Sequence, residues 1–236
     1  MIDGPTLVRE ALDAGVALQE VLVEVGQHAE LVGALEATGV AVHSVHPDVL
    51  ARAADTVTSQ GIAAIAKRFE VSIRAGIAAA EAGPLVLVLV DIADPGNAGT
   101  LLRTAEAAGA AAVLFCGASV DPSNPKCVRA SAGAVFHLPV ASGGDAVSVL
   151  EGLGNAGVAR VATVVRGGAP YDDADLTGPV AVVLGSEAHG LPAELRPLVD
   201  HHLTIPMEGR SESLNVAMAG AVLSFEALRQ RRGEGR

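Results

Sequence analysis

The stretch Pro84–Arg103, "PLVLVLVDIADPGNAGTLLR", decides the fold class. Leu85 to Val90 is an unbroken run of Leu and Val. A strand with one wet face alternates apolar and polar residues. A run that is apolar at every position marks a strand buried on both faces, as in a parallel sheet covered by helices. The second half changes period. Pro95, Gly96, Asn97 and Gly99 make a turn, and the apolar residues after them have helical spacing as far as Gly109. Strand, tight turn and helix form the unit of an α/β sheet, which binds ligands at the carboxyl ends of its strands. Asn97 is read as the cap of the new helix and Gly99 as a point of close approach. Arg103, six residues beyond Asn97, lies about 600° round the helix and near its ligand end.

Downstream the unit repeats. Strands are expected over 111–117, 135–141, 159–165, 179–187 and 201–207, with helices over 125–133, 145–157 and 192–200. Together with 84–92 that makes six strands in a parallel sheet. A long helix closes the chain, its apolar stripe being Leu214, Ala217, Met218, Ala221, Val222 and Phe225. Its tail, "RQRRGEGR" (229–236), is expected to fray. Upstream, residues 1–70 read as a small α/β unit with helices over 4–15, 28–39 and 47–55 and strands over 20–25, 40–45 and 61–67. Residues 71–83 read as a linker, partly helical, and the larger domain spans 84–236.

The bulk composition narrows the classes. The chain has 236 residues, half of them hydrophobic, which is enough for a buried core. Aromatics are only 2%, so stacking on aromatic platforms is a poor binding mode here. The net charge of −11 argues against a generic nucleic-acid coat, which should be basic, while leaving room for a local basic patch. Cys116 and Cys127 have no metal-ligand spacing, and two thiols in a chain this size suggest a reducing, cytoplasmic setting. His189, His201 and His202 have neither helical i,i+4 spacing nor an HExxH context, so no metal is expected. No apolar run approaches the ~20 residues of a membrane span.

Three strand ends carry the candidate chemistry. After the first strand come Asn97, Gly99 and Arg103. After "PVAVVLG" comes "SEAHG", in which Gly185 and Gly190 bracket a turn that presents Glu187. After "HHLTIPM" comes "EGRSESLN", where Ser211, Ser213 and Asn215 crowd a helix start that needs one cap. A GxGxxG fingerprint and a P-loop are both missing, which disfavours hydride-transfer and NTPase readings.

These segments together, "NAGTLLRTAEAAGA", "VVLGSEAHGLP" and "IPMEGRSESLNVAMAGAVLSFE", resemble in order the three motifs of the SpoU (TrmH) family of RNA ribose 2′-O-methyltransferases. The intervening "VDPSNPKCVRASAGAVFHLPV" is similar to that family, and so is the first part, which resembles its small substrate-binding domain. The resemblance implies S-adenosylmethionine as methyl donor, a ribose 2′-hydroxyl as acceptor and a homodimer, formed through the methyltransferase domain, whose active site lies at the subunit interface. It also implies a deep trefoil knot, which pattern reading alone would not propose. By position it implies a catalytic set of Asn97, Arg103, Glu187, Ser213 and Asn215. Donor contacts fall at Thr163, Gly185, Ile205 and Leu214.

The RNA-holding surface would come from Lys126, Arg129 and Arg210 with Arg103, extended by Lys67, Arg68 and Arg74. The extra first domain favours rRNA over tRNA. Family members with that domain usually begin with further, often basic, residues before the stretch matching "IDGPTLV". Here Met1 stands at that point: either the start is truncated or this member lacks the arm, which puts RNA affinity, though not the fold of the knot, in question. Two rival readings have their own tests. A non-catalytic RNA-binding or ribosome-assembly protein need not take up the donor. A Rossmann-type small-molecule methyltransferase would leave the third motif without a task.

Overall fold

The computed structural model describes residues 1–53 and 59–234. These fall into two compact units, divided between Phe69 and Glu70.

The first unit is a four-stranded sheet with three helices. Its elements are β1 (Ile2–Asp3), α1 (Pro5–Asp13), β2 (Leu18–Glu24), α2 (Ala29–Ala37), β3 (Ala41–Val45), α3 (Pro47–Ala53) and β4 (Ile62–Ala66). The sheet order is β1-β4-β2-β3. β2 and β3 are parallel, whereas β4 runs antiparallel to both β2 and β1. Val21, Val23, Leu31, Leu35, Leu50 and Ile62 are buried in its core. β1, two residues long, carries no periodic signal and is absent from the sequence reading. The last two residues of the helix expected over 47–55 lie outside the described residues.

The second unit opens with α4 (Ile73–Ala82), inside the stretch expected as a linker. Ser72 caps this helix by accepting from the Ala75 amide, and Val71 donates to the Val140 carbonyl. Ala80 is buried in the core with Val86, Leu114 and Val149, and Ile73 and Ile77 pack against it. The apolar face of "IRAGIAAAEA" is the physical reason this segment packs as a helix.

The remaining elements are β5 (Leu85–Val90), α5 (Pro95–Ala107), β6 (Ala112–Cys116), α6 (Pro125–Ser131), β7 (Val140–Gly144), α7 (Ala146–Asn155), β8 (Ala159–Thr163), β9 (Ala169–Pro170), β10 (Val180–Leu184), β11 (His201–Thr204) and α8 (Val216–Glu234). The seven strands lie in the order β7-β6-β5-β10-β8-β11-β9, and every pairing is parallel. β5, β6 and β10 are buried at every residue, as an unbroken apolar run requires. β10 enters between the earlier strands β5 and β8, and β11 between the earlier strands β8 and β9. The carboxyl ends of β10, β8 and β11 are therefore side by side.

Four expectations need correction. The strand expected over 135–141 is a 3₁₀ turn at Ala134–Phe136 followed by β7, which begins at Val140. Left-handed backbone at Ala132 and Gly133 turns the chain there, and Pro139 has no N–H to pair. The helix expected over 192–200 is a 3₁₀ segment, Ala193–Leu198, because Pro197 cannot donate to an α ladder. The tail expected to fray is helical as far as Glu234. Gln230 donates to the Ala174 carbonyl and accepts from the Leu176 amide, and Arg231 donates to the Pro84 carbonyl. The inner face of α8 also differs from the expected stripe. Ala217, Leu223 and Ala227 are buried, while Met218 and Phe225 are 52% and 47% exposed.

Candidate functional site

The cleft at the ends of β8, β10 and β11 is about 710 Å³ in volume. Thr163 is the last residue of β8, Gly185 follows β10, Ile205 follows β11, and Leu214 stands just before α8; all four line it. Glu187, Ser213 and Asn215 line it as well. Two residues of the expected catalytic and donor sets are outside its lining: Asn97, which hydrogen-bonds to Glu187 and Asn215 of the wall, and Arg103, which has no such bond.

Gly185 makes the wall possible. A Cβ there would stand 2.3 Å from the Gly190 carbonyl carbon and 2.4 Å from the Leu191 nitrogen. The turn behind it is closed by the Gly190 amide donating to the Ser186 carbonyl at 2.8 Å, with Gly190 at φ 66°. Ser186 Oγ accepts from the Ala188 and His189 amides. This turn holds Glu187 out into solvent at the cleft.

Asn97 joins three distant segments. Its Nδ2 donates to Glu187 Oε1 at 2.7 Å, and its Oδ1 accepts from Asn215 Nδ2 at 2.9 Å. Asn215 Oδ1 meanwhile accepts from the Ala217 amide at 2.9 Å and so caps α8. The sequence reading of Asn97 as a cap is corrected. Asp94 is the cap of α5, its Oδ1 accepting from the Asn97 amide at 2.7 Å. Pro95 at the first helical position is the signal that places the cap one residue before it. Asn97 is inside the first turn, and its side chain is left for Glu187 and Asn215.

Arg103 is elsewhere. It is exposed on α5, outside the cleft lining, with no hydrogen-bond or ion-pair partner among the described residues. Lys126 is exposed and Arg129 half-buried on α6, which packs tightly on α5. Arg210 is exposed in the loop between β11 and α8. Arg74 is exposed at the start of α4; Lys67 and Arg68 belong to the first unit. The cleft also has lining outside the expected catalytic and donor sets: Arg166, His189, Arg196 and Glu212 among charged or titratable side chains, and Val165 and Met207 among apolar ones. Arg196 sits in a stretch that reads as an ordinary amphipathic helix, so no signal marks it.

The two thiols take no part. Burial pushes Cys116 up to about 12, helped by Asp145 and Asp91, and burial pushes Cys127 up to about 12, helped by Asp121. Both stay protonated and poorly nucleophilic at neutral pH. Among the described residues no group of three or more His, Cys, Asp or Glu side chains is placed to hold a metal.

A parallel sheet with a cleft at its carboxyl edge is common to many folds. The comparison that decides among them is with family models. Residues 84–225 match the SpoU rRNA methylase family, and residues 1–72 match the RNA 2′-O ribose methyltransferase substrate-binding family. The chain belongs to the SpoU rRNA methylase family. Among its relatives is the 23S rRNA (guanosine(2553)-2′-O)-methyltransferase RlmP of Bacillus subtilis, 34% identical over 225 residues, which are 95% of this chain and 86% of that one. Among solved structures, the AdoMet-bound rRNA methyltransferase of Sinorhizobium meliloti superposes with a TM-score of 0.84 at 31% identity, covering 96% of this chain and 85% of that one. The SpoU methyltransferase AviRb of Streptomyces viridochromogenes, in complex with AdoMet, superposes with a TM-score of 0.85 at 25% identity, covering 98% and 90%.

Proposed function

We propose that this chain is an S-adenosylmethionine-dependent methyltransferase that modifies a ribose 2′-hydroxyl in 23S rRNA. The observation that carries the reading is the Glu187–Asn97–Asn215 hydrogen-bond chain, which joins all three SpoU segments at the cleft. The relatives named as 23S rRNA 2′-O-methyltransferases favour rRNA over tRNA.

The cleft suits the donor chemically. Ile205, Leu214, Val165 and Met207 offer apolar surface to a nucleoside, and the carboxylates of Glu187 and Glu212 offer negative charge to a sulfonium. The volume is in the usual range for small-molecule sites. S-adenosylmethionine, when bound, supplies a methyl group on a sulfonium that leaves as a neutral thioether. The task of the protein is then to bring a weak nucleophile, the ribose hydroxyl, into line and to let its proton depart.

Arg103 serves that task as a phosphate clamp. Its guanidinium is always protonated, so it holds the phosphate next to the target ribose through paired N–H bonds. The phosphate or a water molecule takes the proton. Positioning and electrostatics account for most of the rate. Lys126, Arg129 and Arg210 extend the basic surface, and the first unit binds further RNA.

The same reading includes a homodimer and a trefoil knot. The exposed Met218 and Phe225, seven residues apart on one face of α8, are the apolar surface a second copy covers. The insertion of β10 and β11 between earlier strands is the topology in which a threaded C-terminal segment arises. The reading takes the protein to act in the cytoplasm; among the described residues no helix is long and apolar enough to cross a membrane.

The test is label transfer. The protein is incubated with methyl-labelled donor and, separately, with unmodified 23S rRNA, 16S rRNA and tRNA, and the modified ribose is mapped. The expected result is one 2′-O-methylated nucleotide in 23S rRNA. Donor binding with no transfer to any RNA would instead support a binding protein on this scaffold.

A further inference from the structure

The Asn97 amide stands between two parts of the second unit that have different tasks in the proposed methyl transfer, and the inference drawn from its position rests on that function. One part is the α5–α6 block. A Cβ on Gly99 would stand 2.4 Å from Ala130 Cβ and 2.6 Å from the Cys127 carbonyl oxygen, so the two helices are in backbone contact and shift only together. That block carries Arg103, Lys126 and Arg129. The other part is the pair of donor loops, 185–191 and 205–215, which carry Glu187 and Asn215.

The direction of each bond in the bridge is forced. Glu187 as a carboxylate only accepts, so Asn97 must turn its Nδ2 toward it. Asn215 uses its oxygen to cap α8, so it must turn its Nδ2 toward Asn97. Both ends of the Asn97 amide are thereby used in holding the two loops, and Asn97 does not line the cleft.

We propose that Asn97 is a positioning residue that couples donor binding to RNA binding, through its paired hydrogen bonds to Glu187 and Asn215. A bound donor settles both loops, the loops fix the two ends of the Asn97 amide, and the amide fixes the first turn of α5. The basic groups on the α5–α6 block are then held ready for RNA. Linkage makes the effect reciprocal: RNA tightens the donor by the same factor by which the donor tightens RNA.

The experiment measures that factor without turnover. Labelled S-adenosylhomocysteine is titrated by equilibrium dialysis into the full chain, with and without saturating unmodified 23S rRNA. The expected factor for the unaltered protein is about fivefold or more. In Asn97→Ala it falls to about one. Asn215→Asp gives the same loss while keeping the oxygen that caps α8, so it separates the bridge from the integrity of the helix. Glu187→Gln retains an oxygen that accepts from Asn97 and keeps the factor. Coupling that survives in both Asn97→Ala and Asn215→Asp overturns the proposal. So does its loss in Glu187→Gln, which would place it in the carboxylate charge. An unaltered protein that binds S-adenosylhomocysteine and RNA independently overturns the coupling alone; one that binds no S-adenosylhomocysteine overturns the functional reading itself.

Discussion

Arg103 is exposed and unpaired among the described residues, so its removal leaves no buried partner stranded and costs the fold little. Its loss should appear in chemistry. Arg103→Ala is expected to keep donor affinity within about twofold and to lower methyl transfer by about a hundredfold or more, the range for losing a group that orients and stabilises the transition state. Arg103→Lys keeps the charge but not the paired donors, and should recover only a small part. Calorimetry with S-adenosylhomocysteine and single-turnover transfer check the two halves. Full turnover by Arg103→Ala would remove Arg103 from the mechanism. At this scale the sequence is legible where a residue type is restrictive. Gly185 is readable because only glycine fits beside the Gly190 and Leu191 backbone. Asn97 reads wrongly as a cap because Asn commonly caps, and only Pro95 shows that Asp94 does so. Arg196 is invisible, since an Arg on a short amphipathic stretch is ordinary.

The elements that frame the cleft are joined by close packing and by one ion pair. Gly220 on α8 is so near α5 and β10 that a Cβ would lie 2.4 Å from Leu101 Cδ2 and 2.8 Å from Leu184 Cδ1. Those are ends of flexible side chains, so Gly220→Ala should be tolerated at a cost of about 1–3 kcal/mol. Gly99→Ala meets backbone atoms, which cannot swing away, and should cost more. Urea denaturation of the two variants checks the order. Arg160 at the start of β8 holds Asp200, which precedes β11, with Nε to Oδ2 at 2.9 Å and Nη2 to Oδ1 at 2.8 Å. The hydrogen bonds from Arg160 hold the Asp200 carboxyl below its ordinary value. A carboxyl lowered in the folded state contributes its full stabilisation above its unfolded value of ~3.9 and loses it as pH falls through the lower folded-state value. Asp200→Asn should therefore be less stable than the unaltered chain at pH 7, and the gap between their urea midpoints should begin to narrow as pH falls below the ordinary carboxyl value and close only once the folded-state carboxyl is protonated. A gap that stays constant would show that the ionised carboxylate contributes nothing. The periodic elements are legible here, β5 and β10 most clearly. The 3₁₀ segment at Ala193–Leu198 and the late start of β7 are not, because proline and left-handed backbone interrupt patterns that are apolar enough to pass.

At the scale of the whole second unit, the exposed face of α8 bears on the proposed homodimer. α8 buries Ala217, Gly220, Leu223 and Ala227 against the sheet side, yet leaves Met218 and Phe225 half exposed on the opposite face. The sequence stripe merges these two faces into one, since both are apolar and an alanine-rich helix gives no polar boundary between them. A helix apolar on two faces has one partner inside the domain and needs another outside it. The cleft rim adds exposed Val165, Met207 and Leu214. Closed two-fold association would pair the same α8 patch with itself, so one substitution acts twice. Met218→Glu with Phe225→Glu would set carboxylates from both copies in one apolar contact. Sedimentation is expected to give a dimer for the unaltered chain and a monomer for the double variant, with the far-UV spectrum unchanged because neither side chain belongs to the core. If the unaltered chain sediments as a monomer at micromolar concentration, the exposed face of α8 has another partner and the homodimer is excluded.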